Sequence, residues 1–134
     1  MEPGGSLRLA GINVLLVDDD EASRHLLVYA LMRNGATVVG VASAREALAM
    51  LQRERPDVLV SEVSMPGEDG YWLIRRVRAL PMERGGATPA AGVTGHTRAD
   101  DRARLLRAGF NFHVPKPVDP VQLIGVVAVL ALKE

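Results

Sequence analysis

The stretch that decides the fold is Ile12-Asn13-Val14-Leu15-Leu16-Val17, followed at once by Asp18-Asp19-Asp20. A nearly continuous apolar run of this length is typical of a strand that is buried on both faces of a parallel sheet. Residues 21–33 then show helical periodicity and end at Asn34-Gly35, a common helix C-terminal signal. The stretch therefore predicts a strand–helix unit that carries carboxylates at the carboxyl end of its strand.

The same strand–helix unit recurs along the chain. Further strands are predicted at residues 37–41, 57–61, 89–94 and 110–114, and further helices after Ser43, after Met65-Pro66-Gly67, at 98–108 and at 118–132. Ser43 and Glu46 match a capping box. We expect Leu26 and Leu27 of the first helix to point inward, together with Trp72 of the third. Repeated units of this kind predict an α/β domain with a parallel sheet and helices on both faces.

Composition limits the classes of protein. The 134 residues fit one domain, and 48% hydrophobic residues argue against disorder. Sixteen basic residues balance sixteen acidic ones, which argues against direct binding of nucleic acid, and the absence of cysteine excludes disulfides and thiolate metal sites. Because no segment resembles a membrane span or a signal peptide, we expect a cytoplasmic protein without a membrane partner. We expect residues 1–11 to form a flexible leader and 12–134 to form the domain.

Polar side chains follow four of the five predicted strands. Asp18 and Asp19 follow the first strand, Glu62 the third, Thr94 the fourth and Lys116 the fifth. The carboxyl ends of the strands in an open α/β sheet border one crevice, where ligands bind. Clustered carboxylates favour a cation such as Mg²⁺, and a lysine with a hydroxyl suits phosphate oxygens. These residues predict a magnesium-assisted phosphoryl site.

The chain resembles the receiver domain of two-component response regulators over roughly residues 12–132. The resemblance rests on Val14 to Asp19, Met65-Pro66-Gly67-Glu68-Asp69-Gly70, Val93-Thr94 and Lys116-Pro117. It implies a doubly wound, flavodoxin-like three-layer fold, with a five-stranded parallel sheet in the order 2-1-3-4-5. It also implies a module of a signalling pathway or phosphorelay, and not an enzyme.

The resemblance also implies roles for individual residues. The metal ligands would be Asp18, Asp19, Glu62 and the backbone carbonyl of Ser64. Asp19 would bind directly, and Asp18 mainly through water. The phosphoryl-site and switch residues would be Thr94, Lys116 and His113. Thr94 would be the switch hydroxyl, Lys116 would pair with phosphoryl oxygens before a cis peptide bond to Pro117, and His113 stands where the family often has an aromatic residue.

Glu62 is where the sequence departs from the family. The phospho-accepting aspartate belongs immediately before the x-x-Met-Pro turn, and this chain has Ser61-Glu62-Val63-Ser64-Met65-Pro66. The glutamate carboxylate reaches one methylene farther, and a misplacement of about 1 Å can cost on the order of a hundredfold in rate. We therefore predict a receiver that is not phosphorylated at useful rates, has weakened Mg²⁺ binding and pairs Glu62 with Lys116.

Other functions are compatible with the same residues. An active magnesium-dependent receiver could accept phosphate on Glu62 or on a nearby acid. The Asp18-Asp19-Asp20 run could simply cap the following helix. A flavin-binding protein of similar topology is a more distant alternative, because three aspartates after the first strand would repel a phosphate. His25 and His96 are expected to be solvated.

The last helix suggests a partner. From Val121 to Leu132 only Gln122 and Gly125 interrupt the apolar and alanine positions, whereas an outer helix normally has a polar face. Either loops cover this surface or a partner does. The expected partners are a sensor histidine kinase or another signalling protein, and a second copy bound through helices 98–108 and 118–132.

Overall fold

A computed structural model describes residues 7–132, in which five parallel strands alternate with five α-helices. The strands are β1 (Asn13–Val17), β2 (Thr37–Val41), β3 (Val58–Glu62), β4 (Ala90–Thr94) and β5 (Phe112–Pro115). The helices are α1 (Glu21–Arg33), α2 (Ala44–Glu54), α3 (Gly70–Arg78), α4 (Ala99–Ala108) and α5 (Pro120–Leu130). A short 3₁₀ turn, Met82–Arg84, precedes β4.

The sheet order is β2-β1-β3-β4-β5, which confirms the predicted doubly wound fold. One core joins the sheet to α1 and α5 through residues such as Leu31 and Leu123. The other joins the opposite face to α2, α3 and α4 through residues such as Leu51, Leu73 and Leu105. The strand order reverses between β1 and β3, which places a crevice beyond the carboxyl ends of these strands.

Side-chain caps fix where the helices begin. The Asp20 carboxylate accepts a hydrogen bond from the Ser23 amide at 2.8 Å, and α1 has the predicted bounds. Ser43 Oγ accepts from the Glu46 amide at 3.2 Å, while Glu46 Oε1 accepts from the Ala42 amide at 3.3 Å. The Ser43 half of the predicted capping box is therefore present, whereas Glu46 accepts from the amide of Ala42, one residue before the cap, instead of that of Ser43.

One predicted inward position, Leu26, is wrong, and another, Trp72, packs against the core but is only partly buried. Leu26 is 61% exposed, since it lies about 100° around the helix from Leu27, which belongs to the core. Trp72 is only partly buried, and two arginine guanidinium groups lie over its ring. In both cases the helical periodicity places more apolar residues on one side of the helix than the sheet can cover.

The boundaries of β5 and of the leader also differ from the prediction. Phe110 is buried, but its amide donates to the Leu105 carbonyl at 3.4 Å and closes α4, so β5 begins only at Phe112. Leu9, placed in the leader, is fully buried in the core, and its amide donates to the Asn34 carbonyl at 2.8 Å. Residues 1–6 of the predicted leader lie outside the described residues.

Strand β4, which lies between β3 and β5, is rich in small residues, and at Gly92 its surroundings leave no room for a side chain. A Cβ on Gly92 would lie 2.9 Å from Leu105 Cδ1 and 3.3 Å from Phe110 Cδ1. Arg78 fixes the loop before β4 by donating to the Gly86 and Thr88 carbonyls at 2.9 and 2.7 Å. Burial lowers the pKa of Arg78 from its ordinary value. Among residues 7–132 no helix is both long enough and apolar enough to cross a bilayer.

Candidate functional site

The carboxyl ends of β3 and β5 bring Glu62 and Lys116 together. Glu62 is the last residue of β3 and its side chain is 3% exposed, whereas Lys116 directly follows β5 and its side chain is 44% exposed. Lys116 Nζ lies 2.5 Å from Glu62 Oε1. Glu62 Oε2 accepts a hydrogen bond from the Ser64 amide at 3.2 Å. One oxygen of this buried carboxylate therefore has an ion-pair partner and the other a hydrogen-bond partner.

Two further carboxylates surround the lysine from the end of β1. Asp18 is buried, and its Oδ1 accepts a hydrogen bond from the Asp20 amide at 2.9 Å, while Asp19 is exposed. Burial lowers the pKa of Lys116, but the hydrogen bond to Glu62 and the charges of Glu62, Asp18 and Asp19 outweigh it and raise the pKa above its ordinary value. Lys116 thus acts as the cation of the predicted acidic cluster.

Several carboxylate oxygens near the strand ends already have partners within the chain. Among residues 7–132, no three carboxylate or imidazole side chains come close enough together to hold a metal ion. One Glu62 oxygen meets an ammonium group, the other meets an amide, and one Asp18 oxygen also meets an amide. Mg²⁺ prefers oxygen ligands in nearly octahedral coordination and usually keeps several waters. The metal roles of Asp18, Asp19, Glu62 and the Ser64 carbonyl stay predictions.

Thr94 ends β4 beside this cluster. It is buried, and its Oγ1 accepts a hydrogen bond from the His96 amide at 3.0 Å. A cavity of about 280 Å³ separates the loops after β3 and β4, with Thr94, Ser64, Tyr71 and Arg104 among its lining residues. The Lys116–Pro117 peptide bond is cis, as the resemblance implies. The structure therefore brings Thr94, Glu62 and Lys116 to the same edge of the sheet.

His113 lies on β5 opposite Gly92 of β4 and is partly buried. Its Nε2 is enclosed, with no hydrogen-bond partner among the described residues. Burial lowers the pKa of His113 from its ordinary value, the charge of Arg102 lowers it further, and Asp101 opposes the shift. We therefore expect a neutral imidazole at pH 7. His25 and His96 are exposed, as predicted.

Arg24 is a further residue of the site, and the sequence pattern did not single it out. Its guanidinium donates to the Asp18 carbonyl at 2.8 Å and thereby ties α1 to the loop that carries the acidic pair. The position of Arg24 on the second turn of α1 was the available signal. An arginine there can reach back to the strand end, but a solvated arginine gives the same sequence pattern.

The fold and the strand-edge site define the class of this protein as a doubly wound, flavodoxin-like domain with an acidic crevice and a facing lysine. The pattern of the response regulator receiver domain matches residues 14–128. The chain belongs to this family and is thus a receiver domain of two-component signalling.

Relatives of very different length share the domain. A 14.6 kDa protein of uncharacterised function from Leptolyngbya boryana is 48% identical over 119 residues, which cover 89% of each chain. The hybrid signal transduction histidine kinase D of Dictyostelium discoideum is 32% identical over 131 residues. That match covers 93% of this chain but only 8% of the kinase, so it concerns one domain of a longer protein.

Solved structures show the same architecture. The chemotaxis protein CheY4 of Vibrio cholerae superposes with a TM-score of 0.82 at 30% identity, covering 90% of this chain and 99% of that one. The receiver domain of a sensor histidine kinase from Pseudomonas aeruginosa has a TM-score of 0.82 at 29% identity, covering 91% and 98% of the two chains. A magnesium ion is coordinated in the active-site cleft of that Pseudomonas domain.

Removing the ammonium group of Lys116 tests the ion pair. Lys116→Met should lower the free energy of unfolding at pH 7 by about 1–3 kcal/mol, less than for a fully buried pair because water reaches the half-exposed lysine. Since folding raises the pKa of Lys116, its stabilisation is complete below the ordinary lysine pKa of about 10.4 and is lost as the pH rises through the higher folded value.

Urea unfolding of wild type and Lys116→Met across this pH range makes the measurement. The difference between the two should shrink above about pH 10. The double variant Glu62→Gln/Lys116→Met is the control, because it removes both charges and should recover part of the loss. A difference that stays constant through the alkaline range would contradict the ion-pair account.

Proposed function

We propose that this receiver is not phosphorylated at useful rates and acts through its conformation and through protein–protein contacts. In this proposal Glu62 stands at the family's phospho-acceptor position. The observation that carries it is the 2.5 Å contact between Lys116 Nζ and Glu62 Oε1. The lysine that would meet a phosphoryl group is already paired with a carboxylate of the protein itself.

Geometry supports this interpretation. In-line transfer requires the acceptor oxygen and the phosphorus at near-attack distance, and an error of about 1 Å can cost a hundredfold. The extra methylene of Glu62 moves its carboxylate toward Lys116, and the Ser64 amide holds the other oxygen. A carboxylate with one oxygen paired to an ammonium group and the other bonded to an amide is also less available for nucleophilic attack.

Charge supports the same conclusion. Glutamate carries one negative charge, whereas a phosphoryl group carries nearly two at neutral pH. Lys116 neutralises the buried carboxylate without any added ligand. The charges of Asp18 and Asp19 also help to keep the lysine protonated. We propose that this built-in pair holds Thr94 and its loop in one arrangement and makes the domain independent of a phosphorylation cycle.

The proposed partners are cytoplasmic signalling proteins, such as a sensor histidine kinase, and a second copy of this chain. The last helix supports self-association, since Val121 and Val129 of α5 are 71% and 61% exposed, and Phe112 of β5 is also exposed. A contiguous exposed apolar patch is typical of an interface, and we propose that these side chains belong to one. Sedimentation equilibrium should show a dimer that Val129→Glu dissociates. A monomer at all accessible concentrations would contradict self-association through this surface.

Intact-mass analysis tests the proposal about phosphorylation. The protein is incubated with Mg²⁺ and a small acyl-phosphate donor, and wild type is compared with Glu62→Asp. We expect no added phosphoryl group on wild type and one on Glu62→Asp, because the shorter side chain withdraws from Lys116 by one methylene. Glu62→Gln, which keeps the length and lacks the nucleophilic carboxylate, serves as the unlabelled control.

Each other outcome would point to a different mechanism. Labelling of wild type would contradict the proposal and favour an active magnesium-dependent receiver. Labelling of neither protein would show that the methylene is not the reason for inactivity. The reason would then be sought in magnesium binding at Asp18 and Asp19.

A further inference from the structure

An exposed cluster of arginines and aromatic rings lies on the side of the sheet opposite α1 and α5. The Tyr71 ring has the Arg104 and Arg75 guanidinium carbons 4.2 and 5.8 Å from its centroid. The Trp72 ring has those of Arg76 and Arg45 at 4.7 and 5.3 Å. We call these residues of α2, α3 and α4 the arginine face: Arg45, Tyr71, Trp72, Arg75, Arg76 and Arg104.

Three arginines of the arginine face form no close ion pair among the described residues. Within residues 7–132 the ion pairs closer than 4.0 Å are Arg45–Glu68, Arg53–Glu54 and Lys116–Glu62. Arg75, Arg76 and Arg104 are exposed and belong to none of these pairs. Helix α3 contains no acidic residue. Three guanidinium groups are therefore available to an external anion.

The pKa of Glu68 shows the effect of the positive charge on this face. A hydrogen bond from Arg45 lowers the pKa of Glu68 below its ordinary value, assisted by a backbone hydrogen bond and then by the charges of Arg45 and Arg76. An acidic side chain placed at this surface is thus stabilised in its charged form. Glu68 is therefore an example, within the chain, of a carboxylate that these arginines stabilise.

Stacking prepares the arginines for binding. A guanidinium that lies over a ring retains its N–H donors, and their planar arrangement matches a carboxylate or a phosphate in a bidentate manner. Contact with the ring also restricts the side chain before binding, which reduces the entropy lost when a partner docks. The face therefore combines charge, geometry and preorganisation.

Other features of the chain favour a protein over a nucleic acid as the partner of the arginine face. The sequence has a formal net charge of zero, so it lacks the general excess of positive charge that attracts a polyanion. Guanidinium groups already lie over the rings on which a base would stack. The neighbouring cavity is lined by Asp69 and Asp101, which disfavour an anion inside it. The contact with a partner is therefore local and involves the exposed arginines Arg75, Arg76 and Arg104.

We propose that the arginine face is a docking surface for an acidic segment of a partner protein. Glutamate or aspartate side chains of that segment would pair with Arg75, Arg76 and Arg104. This surface lies across the sheet from α5, and of its residues only Arg104 belongs to a helix, α4, through which self-association was also predicted. Its role does not depend on whether Glu62 accepts phosphate.

Fluorescence anisotropy with short peptides tests the proposal. The probe is a fluorescein-labelled Glu/Ala peptide, and a Gln/Ala peptide and an oligo-dT of equal length are compared with it. The acidic peptide should bind at low salt, more weakly as salt is added, and more tightly than either comparison probe. In the face variant its affinity should fall about tenfold or more, because several charge-assisted contacts are lost. The face variant is Arg75→Gln/Arg76→Gln/Arg104→Gln.

A control with the same change in net charge separates the face from general electrostatics. It removes three exposed arginines from other parts of the surface, namely Arg33→Gln/Arg53→Gln/Arg84→Gln. We expect this control to bind as wild type does. If circular dichroism shows that the face variant does not fold, the three single substitutions replace it, and each should weaken binding.

Three results would overturn the proposal. Equal binding of the acidic and Gln/Ala peptides would show that charge is not recognised. An equal loss in the control variant would show a general effect of net charge. Tighter binding of oligo-dT would assign the face to nucleic acid instead.

Discussion

The site depends on the cost of burying the Glu62 carboxylate. A charge that is 97% removed from solvent must be paired or hydrogen-bonded, or it destabilises the fold by several kcal/mol. Lys116 and the Ser64 amide meet this requirement and thereby join the end of β3 to the residue after β5 and to the loop that follows β3. Asp18 and Asp19 then lie near a cation that belongs to the chain itself. The proposed independence from phosphorylation follows from this pairing.

Sequence reasoning predicted the fold well where local chemistry was unambiguous. Helix α1 and strand β2 have the predicted bounds. For the helix the reason is local, because Asp20 caps its start and Asn34-Gly35 ends it. The convergence of Glu62, Thr94 and Lys116 was also predictable, since parallel strands deliver their terminal residues to one edge. The sheet order came from the family resemblance, because periodicity alone does not determine which strands are neighbours.

The rest depended on tertiary contacts that no local pattern encodes. Leu26 and Leu27 are equally apolar, and only the position of the sheet decides which one is buried. Phe110 resembles a strand residue but closes α4, and Leu9 resembles a leader residue but fills the core. The arginines over Tyr71 and Trp72 come from three different helices, so their stacking appears only when α2, α3 and α4 pack together.

Lysine-selective ¹⁵N labelling tests the central claim most directly, because the chain contains two lysines, Lys116 and Lys133. Lys116→Arg assigns the two side-chain signals, and an NMR titration then gives the pKa of Lys116. The account predicts a pKa above the ordinary value of about 10.4 in wild type and a clear decrease in Glu62→Gln. A Lys116 that titrates at or below the ordinary value and does not respond to Glu62→Gln would contradict it.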